Sequence, residues 1–298
     1  MHHLEQTRFQ SPKLIFLYFV LSIQVCKNSY PLNKNLDKKE GRLMLFYFYI
    51  TSKKKLKQLS LITIIAFFTA CLVYIQAPKT FSTFSTNKGP VAIYKGDVSR
   101  NNVALTFDIS WGDENVVKVL DVLQNQGIKN ATFFLSASWA ERHPEIVETI
   151  LKQGHEIGTL GYRYKSYTQL TQTEMQRDLN NSAEVFKRLG VKNVNLFRPP
   201  NGEYNKDVIN LASRNNLSVI HWSVNTEDWR NPGTNQIFKK VKKDTDPGDI
   251  ILLHASDSAL QTPKAIPLIW SYLKSKGYKN VSVSEMISNT KTSTKIVN

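Results

Sequence analysis

The chain has 298 residues, of which 41% are hydrophobic and 21% charged, so it is long enough for one sizeable core or for one domain with additional segments. The formal net charge is +15, but residues 1–90 hold 13 of the 39 Lys and Arg and only 3 of the 24 Asp and Glu, so they carry +10 of it. No basic stripe marks the remainder, which argues against a nucleic-acid partner. Both cysteines, Cys26 and Cys71, precede residue 90, which excludes a disulfide framework or a thiolate metal site from the rest of the chain.

The N-terminal region contains an uncharged run of 17 residues, LSLITIIAFFTACLVYI, at 59–75. The basic stretch KKKLK at 53–57 precedes it. A basic flank followed by an apolar run of this length is typical of a signal-anchor helix whose basic end stays in the cytoplasm. We therefore expect a membrane partner through residues 59–75, with the globular part outside the cytoplasmic membrane. A cleaved signal peptide is the alternative.

The composition also predicts how the chain is divided before and after the apolar run. Met44 opens an ordinary lead-in to the anchor, so the residues before it are interpreted as a misassigned start or a disordered leader. A polar stretch with Pro and Gly at its ends then reads as a linker. The predicted division is a leader at 1–43, a basic lead-in with the anchor at 44–77, a linker at 78–90, a globular domain at 91–290 and a tail at 291–298.

Strand and helix patterns alternate through the globular part. Asp113–Gln126 has helical spacing and ends at a glycine, and Thr171 with Glu174 forms a capping box that opens another helix. Repeated strand–helix units predict a parallel sheet, and we expect an irregular (β/α) barrel of about seven parallel strands. An open doubly wound sheet is the alternative, but no phosphate-binding glycine pattern follows the first strand. The predicted strands are 103–108, 131–136, 155–160, 194–198, 218–224, 249–254 and 280–283.

Polar residues follow five of these strands, where active residues of parallel β/α folds lie. Each has an ordinary structural explanation: Asp108 could cap a helix, and His254 could be a satisfied, half-buried histidine. Their convergence on one face of one barrel favours a functional site. The stretches are TFD (106–108), HEIGTLGYRY (155–164), LFRPPN (196–201), VNTEDW (224–229) and ILLHA (251–255).

The order of these stretches over residues 100–290 resembles the polysaccharide deacetylases of carbohydrate esterase family 4, which have the NodB-homology domain. TFDISWGD and ILLHASDSALQT are most similar to the sporulation-associated PdaB type. The resemblance implies a membrane-anchored protein of a spore-forming Gram-positive bacterium. Its partner would be N-acetylated cell-wall or spore-cortex glycan.

The family's reaction, as the resemblance implies it, is metal-assisted amide hydrolysis. A divalent ion, usually zinc, is held by one Asp and two His and activates a water molecule. Carried over by motif, Asp108 is the base and Arg198 its partner, while His254 is the acid and Asp228 its support. The substrate-binding residues carried over or placed beside the site are Trp111, Asn201, Asn225 and Trp229.

The three metal-ligand positions depart from the family pattern, since they hold Ile109, Leu160 and Tyr164. Ile and Leu side chains cannot bind a divalent cation, so no cofactor is expected. Loss of the metal removes several kcal/mol of transition-state stabilisation. Three functions stay open: a hydrolase working without the usual metal, a non-catalytic glycan-binding protein, and a tethered assembly factor that docks other proteins.

Overall fold

A computed structural model of the chain describes residues 57–58, 60–69, 91–288 and 293–295. The chain forms two compact units, Met1–Lys79 and Thr80–Asn298. In the first unit, residues 60–69 are helical and their apolar side chains are exposed. Within the described ranges, no helix has the length and apolar character needed to cross a membrane. The predicted leader, the linker and the rest of the predicted anchor lie outside the described residues.

The second unit contains a ten-stranded sheet. Its strands are β1 Ala92–Lys95, β2 Asn102–Ile109, β3 Thr132–Leu135, β4 Glu156–Thr159, β5 Leu196–Phe197, β6 Ser218–Ile220, β7 Val224–Asn225, β8 Ile250–His254, β9 Lys279–Asn280 and β10 Ser293–Lys295. Their order in the sheet is β10-β1-β6-β5-β4-β3-β2-β8-β7, and β9 pairs with β2. Neighbouring strands are parallel except for β1 and β10.

Helices connect most of the parallel strands. The helix predicted at Asp113–Gln126 is confirmed as α1, and the capping box of Thr171 and Glu174 opens α4 with both of its reciprocal hydrogen bonds present. The helices of the unit are α1 Glu114–Asn125, α2 Ala137–Ala140, α3 Pro144–Lys152, α4 Gln172–Arg188, α5 Lys206–Arg214, α6 Thr234–Asp244, α7 Thr262–Ser275 and α8 Val283–Ser288.

The sheet is a half-barrel of eight consecutive parallel strands, which corrects the expected barrel of about seven. The segment predicted as one strand at 218–224 is two short strands, β6 and β7. Between them the chain changes partners: the His221 N–H donates to Ile93 of β1, and the Ser223 N–H donates to Ile250 of β8. The short β1 and β10, at the other end of the sheet, were not predicted, and β10 falls within the predicted tail.

Side chains of β2 alternate between two hydrophobic clusters. Leu105, Phe107 and Ile109 belong to the outer cluster beneath the helices, where the rings of Phe107 and Phe133 stack at 5.1 Å. Ala104 belongs to the inner cluster, which is built from several strands and fills the concave side of the sheet. Each fully buried large apolar side chain contributes about 1.5–3 kcal/mol. The alternation places Asp108 on the inner face and Ile109 on the outer face.

His155 is a buried residue immediately before β4 and far from the strand ends that carry the polar motifs. Its Nδ1 accepts a hydrogen bond from the Ala131 N–H at 3.3 Å, and its ring contacts Phe133 at 5.3 Å. Burial lowers the pKa of His155 from 6.5 to about 4. His155 is therefore neutral at pH 7, which agrees with the structural role expected from its position at the start of a strand.

We predict that His155 makes the fold sensitive to acid. The folded-state pKa lies below the unfolded value of 6.5, so the stabilisation is present above pH 6.5 and is lost as the pH falls towards 4. The loss is on the order of 1–3 kcal/mol. Urea unfolding of the full-length chain at pH 7.5, 5.5 and 4.5 measures it. In His155→Gln the decline should be smaller, whereas a profile identical to that of the wild type would contradict this role.

Candidate active site

A buried ion pair between Asp108 and Arg198 forms the floor of the site. Asp108 is the penultimate residue of β2, and Arg198 follows β5. Arg198 Nη1 donates to Asp108 Oδ1 at 2.7 Å and to Thr106 Oγ1 at 2.9 Å, and Nη2 donates to the His221 carbonyl oxygen at 3.2 Å. The guanidinium also lies 4.0 Å from the centre of the Phe134 ring. These contacts hold Arg198, which is fully buried, in one orientation beside Asp108.

Burial and the neighbouring charge act in opposite directions on the pKa of Arg198. Burial lowers the pKa of the guanidinium, and the charge and hydrogen bond of Asp108 raise it. The ion pair thus compensates for the cost of placing a cation in the interior. Removal of either partner would leave a buried charge without compensation.

A second acid–base pair consists of His254 and Asp228. Asp228 Oδ1 lies 2.7 Å from His254 Nδ1, and Asp228 Oδ2 accepts the His254 backbone N–H at 2.7 Å. The Thr262 hydroxyl donates to the same Oδ2 at 2.6 Å. Parallel pairing of β2 with β8 sets His254 directly opposite Asp108. Sheet register therefore brings the two acid–base pairs together.

The protonation of His254 depends on Asp228. Burial lowers the pKa of His254, but the hydrogen bond and charge of Asp228, with a contribution from Asp108, raise it above the ordinary value of 6.5. The imidazole Nδ1 faces Asp228, which directs Nε2 away from that carboxylate. A histidine in this state is suited to donate a proton.

Replacement of Asp228 should reverse the direction in which the pKa of His254 is shifted. In Asp228→Asn the burial remains while the charge is lost, so we expect the pKa of His254 to fall below 6.5. An NMR titration of the imidazole signals in the full-length chain gives this value. A pKa that stays above 6.5 in the variant would show that Asp228 does not control His254.

The four residues predicted to bind substrate lie on loops or strand ends around these pairs. Trp111 and Trp229 are 53% and 45% exposed and follow β2 and β7, which flank β8. Asn201 has a left-handed backbone with φ of 58°. Asn225 Oδ1 accepts the Glu227 N–H at 3.0 Å, so its side chain stabilises a local turn. The two tryptophans therefore offer the open surface, and the asparagines shape the backbone.

The positions that carry metal ligands in the family do not fit a divalent ion here. Ile109 and Leu160 are fully buried in the outer and inner hydrophobic clusters. Burial, and next the charge of Asp108, raise the pKa of Tyr164 to about 12, so its hydroxyl stays protonated. In the part of the chain that the structure describes, no three His, Cys, Asp or Glu side chains come together as a metal site. The side chains at these three positions do not supply the set of donors that a zinc ion needs.

Residues outside the predicted set also build the site. Thr262 binds Asp228, and it is the last residue of the stretch ILLHASDSALQT that carried the family resemblance. The stacked pair of His221 and Trp222, with ring centres 3.9 Å apart, lies at the break between β6 and β7, and the His221 carbonyl accepts from Arg198. No sequence pattern marks this pair, because it depends on where the strand breaks.

A substitution at Ile109 tests whether the side chain at this position points into the outer hydrophobic cluster or into the site. A carboxylate placed in the outer cluster would be buried without a partner, so we expect Ile109→Asp to lower the free energy of unfolding by about 2–4 kcal/mol. Zinc should not recover the loss. Urea unfolding with and without zinc measures both effects, and Ile109→Val, which should cost about 0.5–1.5 kcal/mol, is the control. Zinc-dependent recovery of stability would mean that the side chain reaches the site.

The fold and the site together define an α/β protein with acid–base groups at the carboxyl ends of parallel strands. A family profile described as polysaccharide deacetylase matches residues 95–220. A peptidoglycan-N-acetylglucosamine deacetylase of Bacillus cereus is 35% identical over 190 residues, which cover 62% of this chain and 87% of that protein. The chain belongs to the polysaccharide deacetylase family.

Other relatives differ in sugar and in activity. The peptidoglycan-N-acetylmuramic acid deacetylase PdaA of Bacillus subtilis is 28% identical over 66% of this chain and 75% of that protein. A crystal structure of a CE4 family pseudoenzyme from Bacillus anthracis is 27% identical with a TM-score of 0.63, over 66% of this chain and 69% of that chain. A mutant of that pseudoenzyme is described as having restored enzymatic activity. The relatives of this chain therefore include both proteins named as deacetylases and a pseudoenzyme.

Proposed function

We propose that this deacetylase-like protein binds N-acetylated glycan of the bacterial cell wall without metal-assisted hydrolysis. The observation that carries the proposal is the contrast within the site. The Arg198 guanidinium lies 2.7 Å from the Asp108 carboxylate, and the His254 ring lies 2.7 Å from the Asp228 carboxylate. The positions that match the family's metal ligands are instead occupied by the apolar side chains of Ile109 and Leu160 and by the neutral phenol of Tyr164. Relatives named as peptidoglycan deacetylases support the class of glycan.

Glycan recognition follows from the surfaces around the site. Trp111 and Trp229 flank His254 from neighbouring loops and expose large aromatic faces, which suit stacking against sugar rings. His254 can donate to an acetamide group through Nε2, while Asp108 offers an acceptor. The Arg230 guanidinium lies 4.8 Å from the centre of the Trp229 ring and restrains that side chain.

A second candidate function is slow hydrolysis of the same acetamide without a metal. The assembled acid–base pairs favour it. Asp108 would take a proton from water, the oxygen would attack the acetamide carbon, and His254 would protonate the leaving amine to release acetate. Without the metal this route lacks several kcal/mol of stabilisation, so turnover would be far slower than that of a metal-dependent enzyme.

The location outside the cytoplasmic membrane is also part of the proposal. The uncharged run at 59–75 and the basic stretch before it support an anchored protein with its globular domain on the wall or spore-cortex side. Wall glycan would then be accessible to the site. Similarity to the sporulation-associated PdaB type is what supports the spore cortex as one location.

Glycan binding and turnover can be separated in one experiment. The full-length chain in mild detergent is titrated calorimetrically with chitotetraose bearing N-acetyl groups, and acetate is measured in the same samples. We expect binding without acetate release, and Trp229→Ala should weaken binding about three- to tenfold. The control is Leu268→Ala, which changes an exposed apolar side chain on the outer helix α7.

Each outcome has a distinct meaning. Acetate release that is lost in Asp108→Asn would replace binding with metal-free hydrolysis as the function. Absence of binding to the tetrasaccharide and to purified peptidoglycan would refute the proposed function. Equal effects of Trp229→Ala and Leu268→Ala would place the glycan elsewhere on the surface.

A further inference from the structure

Tyr164 lies on a loop that holds it in an unusual backbone conformation. Its φ is 53°, which is left-handed and rare for a bulky side chain. The ring is half-buried and packs against the inner hydrophobic cluster, together with Trp222. A strained residue of this kind persists only where its surroundings fix it, and such residues concentrate at functional sites.

A buried carboxylate on α4 fixes this loop. Asp178 accepts the backbone N–H groups of Tyr162 at 2.6 Å and of Arg163 at 3.2 Å. The Tyr167 hydroxyl donates to the same carboxylate at 2.6 Å. These hydrogen bonds therefore fix the backbone immediately before Tyr164.

The surroundings of the Tyr164 hydroxyl define its hydrogen-bonding role. Trp222, which packs against the same cluster as Tyr164, has its ring centre 5.6 Å from the Arg198 guanidinium. The charges of Asp108 and Arg198 both act on the pKa of the phenol, which places Tyr164 beside the ion pair. Asn201, with φ of 58°, is itself in a left-handed conformation. The hydroxyl proton of Tyr164 remains to be donated.

We propose that the Tyr164 hydroxyl donates a hydrogen bond to the acetamide carbonyl oxygen of the glycan, in the place where the family carries a metal ligand. This inference rests on the proposed function, since it names the group that recognises the acetyl substituent. The high pKa of the hydroxyl keeps its proton in place throughout the physiological range.

The arrangement distinguishes an acetylated sugar from its free amine. A carbonyl oxygen accepts from Tyr164, whereas the ammonium group of a deacetylated sugar is a donor only and cannot. Loss of the hydroxyl should therefore reduce the preference for the acetylated sugar more than it reduces binding as a whole. A purely structural role for Tyr164 would weaken both sugars equally.

The test compares two tetrasaccharides on the full-length chain by isothermal titration. One is chitotetraose with all four N-acetyl groups, and the other is its fully deacetylated form. In Tyr164→Phe we expect the preference for the acetylated sugar, measured as the ratio of dissociation constants, to fall about five- to tenfold. Tyr272→Phe is the matched control, because its hydroxyl donates to the Lys242 carbonyl on the outer helices and the ratio should not change.

The outcomes separate this inference from the function on which it rests. If the wild type binds neither sugar, the proposed function fails and the inference with it. If the wild type prefers the acetylated sugar and Tyr164→Phe retains that preference, only the role of Tyr164 is overturned. NMR of ring-labelled tyrosine in the wild type gives a second measurement should the variant fold poorly: the acetylated sugar should shift the Tyr164 signal and leave that of Tyr272 unchanged.

Discussion

The buried ion pair of Asp108 and Arg198 is the constraint on which the site depends. A fully buried guanidinium is stable only with a carboxylate and further acceptors around it, and here Asp108, Thr106 and the His221 carbonyl supply them. These partners come from β2 and from the break between β6 and β7. Because the Arg198 cation needs all of these acceptors, strands on opposite sides of the half-barrel are held in one fixed arrangement at the site.

The register of β2 with β8 extends this geometry to the second acid–base pair. Asp108 and His254 are direct neighbours across the sheet, and Asp228 fixes the histidine through both its ring and its backbone. Deacetylase chemistry needs a base and an acid on the same substrate group. Ordinary parallel pairing places the two residues proposed for these roles side by side.

Packed side chains occupy the three positions at which the resemblance places the family's metal ligands. Ile109 and Leu160 contribute to two different hydrophobic clusters, and Tyr164 lies over the inner one. Each of these side chains stabilises the domain by burial, which a ligand at the same position would not do without its metal. This packing supports the proposed role, in which the site binds glycan without metal-assisted hydrolysis.

The sequence by itself determined the parallel α/β class and the family, because these follow from hydrophobic periodicity and from the order of the polar motifs at strand ends. It also named Asp108, Arg198, Asp228 and His254 as candidates, and the structure brings these four side chains together. Only the tertiary structure decided the break of the predicted strand at 218–224, the outward orientation of Ile109, the hydrogen bond from Thr262 to Asp228 and the left-handed backbone of Tyr164. The physical reason is that these features depend on long-range sheet register and on left-handed backbone positions. Local pattern does not encode either of them, since both are fixed by partners distant in the chain.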